Sequence, residues 1–353
     1  MANREESASK RADASARQNH AEQIMGLATG YAASQILFNS DELGLFDKLK
    51  DGGRTLEWLS QETGIKPAPL ERLLIGCCSL QLLRRLGGTF ELGEVARRCL
   101  LKNEPGYVGG LFSFFKRGLY PLWEHLETAL REQRPQWDRV PGIGQGGPFE
   151  ALYREEASLR EFQDAMFQLS YPTGLAACEA IDFSGFRSAV DIGGGTGGFV
   201  IALCQRVPQL RASIFDLPPV EKAAAETIAR HGLDGRITFL RGDFFSDALP
   251  SADLYVLGDI LHDWGTEDGT RLLEKVYAAL PSRGAVCIVE NLLNENRDGP
   301  PLSAVINLTM LVATYGEQRT PAEFAEWLGS IGFERFEHHD LPAPRGIFVG
   351  WKG

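Results

Sequence analysis

Seven consecutive residues, Asp191-Ile192-Gly193-Gly194-Gly195-Thr196-Gly197, set the tightest limit on how this 353-residue chain folds. A short apolar run, Ser188-Ala189-Val190, precedes them, and another, Phe199 to Leu203, follows. That order predicts a strand, a glycine-rich turn and a helix. Glycines tolerate φ above zero and let a ligand approach backbone where a side chain would collide. Gly193, Gly195 and Gly198 also satisfy the G-x-G-x-x-G spacing of dinucleotide-binding folds, so the turn alone does not choose its ligand. The acid in front separates the readings. A carboxylate at the strand's end repels a pyrophosphate but suits the cationic methionine portion of S-adenosylmethionine. Methyl transfer is therefore the first expectation, hydride transfer the second, and a purely structural turn the third.

The chain after this turn repeats the pattern. Arg211 to Phe215 reads as a second buried strand closed by Asp216, and Leu217-Pro218-Pro219 breaks it. An acid ending the second strand of a β-α-β unit is placed to accept hydrogen bonds from both ribose hydroxyls of a nucleoside. Asp216 supports nucleoside binding under either chemistry; its bland alternative is a helix-capping carboxylate. A third strand, Arg236 to Leu240, runs into Gly242-Asp243-Phe244-Phe245, an acid beside aromatics suited to an adenine amino group and ring. A fourth apolar strand from Asp253 then delivers His262 just past its carboxyl end, where open α/β sheets bind ligands. Imidazole titrates near neutrality and can take the proton of an attacking hydroxyl. His20, His125, His231, His338 and His339 have no such setting and read as surface or helix residues.

In this order, and with Val289-Glu290-Asn291-Leu292-Leu293 added, the segments resemble the plant-type small-molecule O-methyltransferases. That family includes caffeate, flavonoid, antibiotic-tailoring and acetylserotonin enzymes. The acetylserotonin branch is similar at Leu254 to Leu257, Asn294 to Pro300 and Met310-Leu311-Val312 as well. The resemblance runs from about Tyr31 to the end. It implies an α/β protein: a Rossmann-like, doubly wound methyltransferase domain over 181–353, with an N-terminal helical winged-helix dimerisation domain over 21–105. Between them, 106–180 would form a helical linker and acceptor-pocket region. The implied cofactor is S-adenosyl-L-methionine with no metal, the substrate a small aromatic hydroxyl compound, and the partner a second copy of the chain.

Carried to matching positions, the resemblance assigns His262 as general base. Gly193, Gly195, Asp216, Leu217, Gly242, Asp243 and Phe244 become cofactor contacts, and Gly258 a point where the chain approaches the cofactor. Glu290 would hold His262 and stabilise its imidazolium form. Where the family carries a second glutamate before an Arg-Thr pair, this chain has Gln318 before Arg319-Thr320, with Glu317 one position earlier. An amide orients an imidazole but does not stabilise its charge as a carboxylate does, and whether Gln318 or Glu317 supports the base stays open. Phe162, Met166, Ser170, Thr309 and Ala313 match acceptor-facing positions, although core packing explains the apolar ones equally well. Thr309 and Ala313 replace two amides of the acetylserotonin enzymes, so the resemblance does not extend to acetylserotonin as the acceptor.

The first third has a different character. Thr55 to Gly64 reads as a helix with a capping-box start, and Ala68 to Leu80 as a second helix with Leu70, Leu73, Leu74 and Cys77 at helical spacing. Leu82 to Leu92 reads as a hairpin. This winged-helix outline raises a DNA-binding regulator as an alternative. The second helix carries only Glu71 and Arg72 as charges, and a net charge of −11 opposes a nucleic-acid surface. Tyr107 to Leu130 is aromatic and helical in pattern, Pro141 to Pro148 is a loop, and Phe149 to Ala180 reads as helices. The six cysteines lack metal-ligand spacing and suggest buried thiols rather than disulfides. Residues 1–20 form a polar leader without a signal core, and no window spans a membrane, so a cytoplasmic enzyme is expected. Two further readings stay open: a methyltransferase-fold enzyme using S-adenosylmethionine for hydroxylation or decarboxylation, and an NAD-dependent oxidoreductase.

Overall fold

The computed structural model of the protein describes residues 20–102, 104, 106–141, 153, 156–342 and 345–353. The expected polar leader and the loop at Pro141 to Pro148 lie outside them, apart from His20 and Pro141. The chain divides into two compact units, with the boundary between Gly109 and Gly110.

In the first unit, helix α1 (Gly30–Glu42) is followed by strand β1 (Arg54–Thr55), helix α2 (Leu56–Thr63) and helix α3 (Pro67–Ser79). Gly64, with φ of 69°, ends α2, and Pro67 starts α3 where a missing N–H costs nothing. Strands β2 (Leu83–Leu86) and β3 (Thr89–Leu92) form the expected hairpin, with β1 added beside β3. Its two-residue turn, Gly87-Gly88, has positive φ at both positions, which matches the right-handed twist of the flanking strands. Leu59, Leu70, Leu74, Phe90 and Leu92 are all buried and supply the core. The expected capping box at Thr55 is corrected: Thr55 Oγ1 accepts from the Trp58 N–H at 3.3 Å, but Trp58 occupies the position where a Glu or Gln would have to reach back.

The second unit is built on a sheet in which seven strands are described: β4 (Ser188–Ile192), β5 (Arg211–Asp216), β6 (Ile237–Arg241), β7 (Leu254–Gly258), β8 (Ala285–Asn291), β9 (Phe333–Asp340) and β10 (Arg345–Lys352). Their order is β6-β5-β4-β7-β8-β10-β9, parallel through β8 and antiparallel at both β10 pairings. All residues of β8 are buried, as expected for a strand covered on both faces by helices. Helix α4 (Glu156–Ala180) and helix α5 (Gly198–Arg206) contribute to one layer, around Phe199, Val200 and Ile214. Helix α6 (Glu221–Arg230) supplies Ala224 and Ile228 to that layer. Helix α7 (Thr266–Ala279), helix α8 (Pro301–Ala313) and helix α9 (Pro321–Ile331) follow β7 and β8 along the chain; α7 and α9 bury Leu272, Leu273, Phe324 and Leu328 on the other face.

The order of connection reverses at β4, which has β5 on one side and β7 on the other. Such a switch opens a crevice at the carboxyl ends of the strands, and the glycine turn and the His262 loop both sit there. Gly174 lets α4 approach α5 closely, since a Cβ there would lie 2.8 Å from Ala202 Cβ and from the Phe199 carbonyl. The aromatic stretch after Gly110 is helical as expected, but Phe115–Leu119 winds as a π-helical segment.

The residue that opens α9 also closes the loop of Gln318 and Arg319. Thr320 Oγ1 accepts from the Glu323 N–H at 3.1 Å, and Glu323 Oε2 accepts from the Thr320 N–H at 2.8 Å. Thr320→Ala is expected to cost about 0.5–2 kcal/mol in urea unfolding. An unchanged midpoint would show that this cap carries no stability.

Candidate active site

The glycine turn leaves β4 with φ of 62° at Gly193, 58° at Gly195 and 80° at Gly197, all unfavourable for a side chain. Asp216, the last residue of β5, faces it. The Gly195 N–H donates to Asp216 Oδ2 at 2.7 Å, and the Leu217 N–H donates to Oδ1 at 2.6 Å. Asp191 is more deeply placed than the sequence suggested: the turn folds over its carboxyl, and a Cβ on Gly194 would meet Asp191 Cγ at 2.5 Å. Burial and the Asp216 charge push Asp191 up to about 8, while burial, opposed by the two N–H donors, leaves Asp216 at about 6.

The loop after β6 carries the other expected cofactor residues. Asp243 Oδ1 accepts from the Phe245 N–H at 2.8 Å. Phe244, Phe245 and Trp264 form one aromatic cluster, with ring centroids 4.8 Å apart for Phe244–Phe245 and 4.5 Å for Phe245–Trp264. Lys275 on α7 ties this loop down, donating to the carbonyls of Phe244, Phe245 and Asp247 at 2.6, 3.0 and 2.7 Å. Gly242 has a packing reason for being glycine, because a Cβ there would fall on the Phe215 ring. Gly258 differs: no atom lies within 4 Å of where its Cβ would be.

His262 lies in a short 3₁₀ turn, Leu261–Asp263, beyond β7. Glu290, buried at the end of β8, grips it twice. Oε1 accepts from the His262 backbone N–H at 3.3 Å, and Oε2 lies 2.6 Å from Nδ1. The Gln318 side chain also meets Nδ1, at 2.9 Å, with its nitrogen toward the ring and its oxygen buried without a partner. Glu290 Oε2 approaches Nδ1 as an ion-pair contact and, like the Gln318 oxygen, is buried without a hydrogen-bond partner; with a proton on Nδ1, half a turn of the amide would present that proton with its oxygen. The remaining nitrogen, Nε2, points away from this clamp and lies 3.6 Å from Asp263 Oδ1. Burial disfavours charge on the ring, but Glu290, Asp263 and Asp259 together outweigh it and hold the His262 pKa well above the usual histidine value.

Glu317 does not reach the ring. Its carboxylate is half-exposed and pairs with Arg297 at 3.4 Å and Arg319 at 3.7 Å. Gly316 was not singled out in the sequence, yet a Cβ there would fall on the His262 carbonyl. Asp259, with φ of 54°, pairs with Arg345 at 2.6 Å, a partner 86 residues away. Asp259, His262 and Glu290 each offer an atom within 4.8 Å of the others, but Arg345 already supplies a cation there, which favours an ion-pair network over a metal set.

The expected acceptor residues separate. The Phe162 ring meets Phe114 edge-on at 5.7 Å, and Phe114 stacks on Trp137 at 6.4 Å. Trp137 Nε1 donates to the Ala313 carbonyl at 2.7 Å, which joins Ala313 to the same wall. Thr309 is buried one turn earlier on α8 and donates its hydroxyl to the Val305 carbonyl at 2.9 Å. Met166 is half-buried one turn beyond Phe162 on α4. Ser170 stands apart from the wall, with its hydroxyl against Gly198 at the start of α5. Tyr153 has no counterpart among the residues expected from the sequence. Burial and Asp216 push its hydroxyl upward in pKa, Gln163 hydrogen-bonds it, and Asp263 also acts on it. Gln163 itself abuts the turn, 2.5 Å from where a Gly195 Cβ would be.

With this geometry in place, comparison with known proteins decides the family. Residues 123–334 match the O-methyltransferase domain family and residues 25–102 the O-methyltransferase dimerisation domain. The chain belongs to the O-methyltransferase family. It is 35% identical over 320 residues to acetylserotonin O-methyltransferase of Gallus gallus, covering 89% of this chain and 92% of that one. It is also 35% identical over 332 residues to 3-hydroxy-5-methyl-1-naphthoate 3-O-methyltransferase of Streptomyces sahachiroi, covering 93% and 94%. The structure of human N-acetylserotonin methyltransferase in complex with S-adenosylmethionine superposes with a TM-score of 0.88 at 32% identity, covering 95% and 98%. This O-methyltransferase is S-adenosylmethionine-dependent, and its dimerisation domain supports homodimer formation. Among its described residues no helix is long and apolar enough to cross a membrane.

The enzyme's Gly316 offers a direct test of how tightly the His262 loop is seated. Gly316→Ala is expected to lower turnover at least about tenfold while leaving S-adenosylhomocysteine affinity near wild type, since even about 1 Å of misplacement is costly. Wild-type turnover would show that the loop moves aside freely.

Proposed function

We propose that this O-methyltransferase methylates a phenolic or enolic hydroxyl of a small, largely apolar aromatic acceptor, with His262 as the general base. The observation that supports the base best is the clamp on Nδ1, which leaves Nε2 as the nitrogen that accepts a proton when the ring is neutral. The acceptor's hydroxyl proton passes to that nitrogen as its oxygen forms the new bond. Glu290 stabilises the resulting imidazolium, and Gln318 keeps the ring oriented.

The residues fit the cofactor. Gly193 and Gly195 bring backbone close without a side chain, Asp216 has acceptor capacity left for ribose hydroxyls, and Gly258 leaves room at the end of β7. Asp243 and Phe244, with Phe245 and Trp264, are suited to an adenine edge and face. When bound, S-adenosylmethionine supplies a sulfonium-activated methyl group for direct displacement by the acceptor oxygen. Holding the reactants at attack distance contributes several kcal/mol, and a positioned base adds about 10²–10⁴-fold.

The acceptor wall supports an apolar ring system. Thr309 spends its hydroxyl on its own helix, Ala313 has none, and Trp137 spends its N–H on Ala313. A fused aromatic ring such as that of the hydroxylated naphthoate named for the Streptomyces relative suits Phe114, Phe162 and Trp137, which offer the acceptor faces rather than hydrogen bonds. The first unit exposes Ile24, Leu27, Tyr31, Ile75 and Val95, apolar surface suited to a second copy of the chain.

His262→Ala is expected to keep cofactor affinity and lower turnover by about 10²–10⁴-fold, with a smaller loss on acidic phenols or at high pH. A panel of naphthols, catechols, indoles and phenazines with labelled cofactor measures both acceptor class and base dependence. Full activity of the variant on a weakly acidic hydroxyl would overturn the assignment.

A cationic ligand favours ionised Asp191 and Asp216, which sit at about 8 and about 6 in the free protein. Binding should therefore release protons, so affinity for S-adenosylmethionine rises as pH rises from about 6 to 8. Calorimetry in buffers of different ionisation enthalpy reads this directly. Asp216→Ala should weaken binding by about 1.5–3 kcal/mol. Unchanged affinity, or tighter binding of NAD, would reject the site.

A further inference from the structure

The surroundings of His262 hold more negative charge than a base needs. Glu290 reaches it from β8, and Asp259 and Asp263 from its own loop. Gln318, on the loop before α9, is neutral. Arg319 on that loop is buried with its guanidinium 4.2 Å from the Trp327 ring centroid, and it pairs with Glu317 at 3.7 Å. Both arginines feel Glu290, but it is Arg345, the first residue of β10, that bonds a carboxylate of the cluster, Asp259, at 2.6 Å.

Backbone geometry points the same way. Arg345 pairs across the sheet with Asn291, and Gly346 with Glu290, so the guanidinium issues from the strand beside the one that carries Glu290. Asp259 is fixed at φ of 54°, and its N–H donates to the Val289 carbonyl at 3.0 Å. Its Oδ1 is buried with no hydrogen-bond partner, while Oδ2 takes the guanidinium. A partly buried carboxylate in a left-handed turn, half-satisfied and held by an arginine from a distant strand, is a poor stabiliser of the fold. It is well placed to act on charge at the ring.

We propose that Asp259 and Arg345 form a positioning pair that offsets one of the three negative charges around His262 and limits how tightly the ring holds its proton. This rests on the reading of His262 as base. Without Arg345, three carboxylates would face one imidazole and hold its proton. Without Asp259, an unopposed guanidinium would repel that proton.

The test is the titration of His262 in the full-length protein without substrate, followed by NMR of ¹³C-labelled histidine, the His262 signal being assigned by its loss in His262→Ala. Arg345→Gln should raise the titration midpoint by about one pH unit or more, because a cation is lost. Asp259→Asn should lower it by a similar amount, and Asn tolerates the positive φ, so the turn survives. The double variant, which removes a neutral pair, should return close to wild type. Midpoints that do not move, or singles that shift in the same direction, would overturn the proposal. Should Arg345→Gln fail to fold, Asp259→Asn decides alone: a downward shift supports the pair, and no shift rejects it. The readout is independent of the base assignment, which stands or falls on the turnover of His262→Ala.

Discussion

Glu290 sits near the end of a strand buried on both faces, and much of the site is arranged around that one carboxylate. A buried charge persists only when partners surround it. Here they include the backbone N–H and the ring of His262, with Arg345 acting across the neighbouring strand. Because Glu290 grips His262 through main chain and side chain together, the loop and the orientation of its imidazole are set by one group. Gln318 adds an uncharged second contact at Nδ1. At Nδ1 itself the site therefore sets one carboxylate and one amide rather than two carboxylates.

The cofactor side follows the same logic with a softer charge. Asp216 is buried and bonded by two backbone N–H groups, one from the glycine turn and one from its own successor. The turn folds over Asp191, so two acids share a small buried volume and both are pushed upward in pKa. That tension is relieved by a cationic ligand and aggravated by a phosphate. It gives a structural reason for a methyl donor over a dinucleotide, beyond the repulsion inferred from the acid's place in the sequence.

Much of this was legible in the chain before folding. The apolar runs ending in Asp216, near Asp243 and before His262 marked the strands; β4 runs two residues past its apolar run because Asp191 and Ile192 remain in the ladder, while β6 and β7 each begin one residue later than expected. Glycine at Gly87-Gly88 and Gly64 marked the turns because those backbones need positive φ. Gly242 was read as a ligand contact, and the Phe215 ring explains it as well. Ser170 was grouped with Phe162 through the resemblance to acceptor-facing positions, but its hydroxyl turns to Gly198, since residues along one long helix need not meet the same neighbour.

What the sequence by itself determined was local: where strands end, where the backbone must turn, and which residue types stand at the carboxyl edge of the sheet. These depend on φ, on hydrophobic period and on polarity, all readable within a few residues. Tertiary structure alone decided which charges meet. Nothing near Asp259 announces Arg345, nothing near Tyr153 announces Asp216 and Asp263, and only the folded loop separates Gln318, at the ring, from Glu317, in solvent. Those meetings depend on the order in which strands assemble and on which face of a loop is buried, and charge acts through space rather than along the chain.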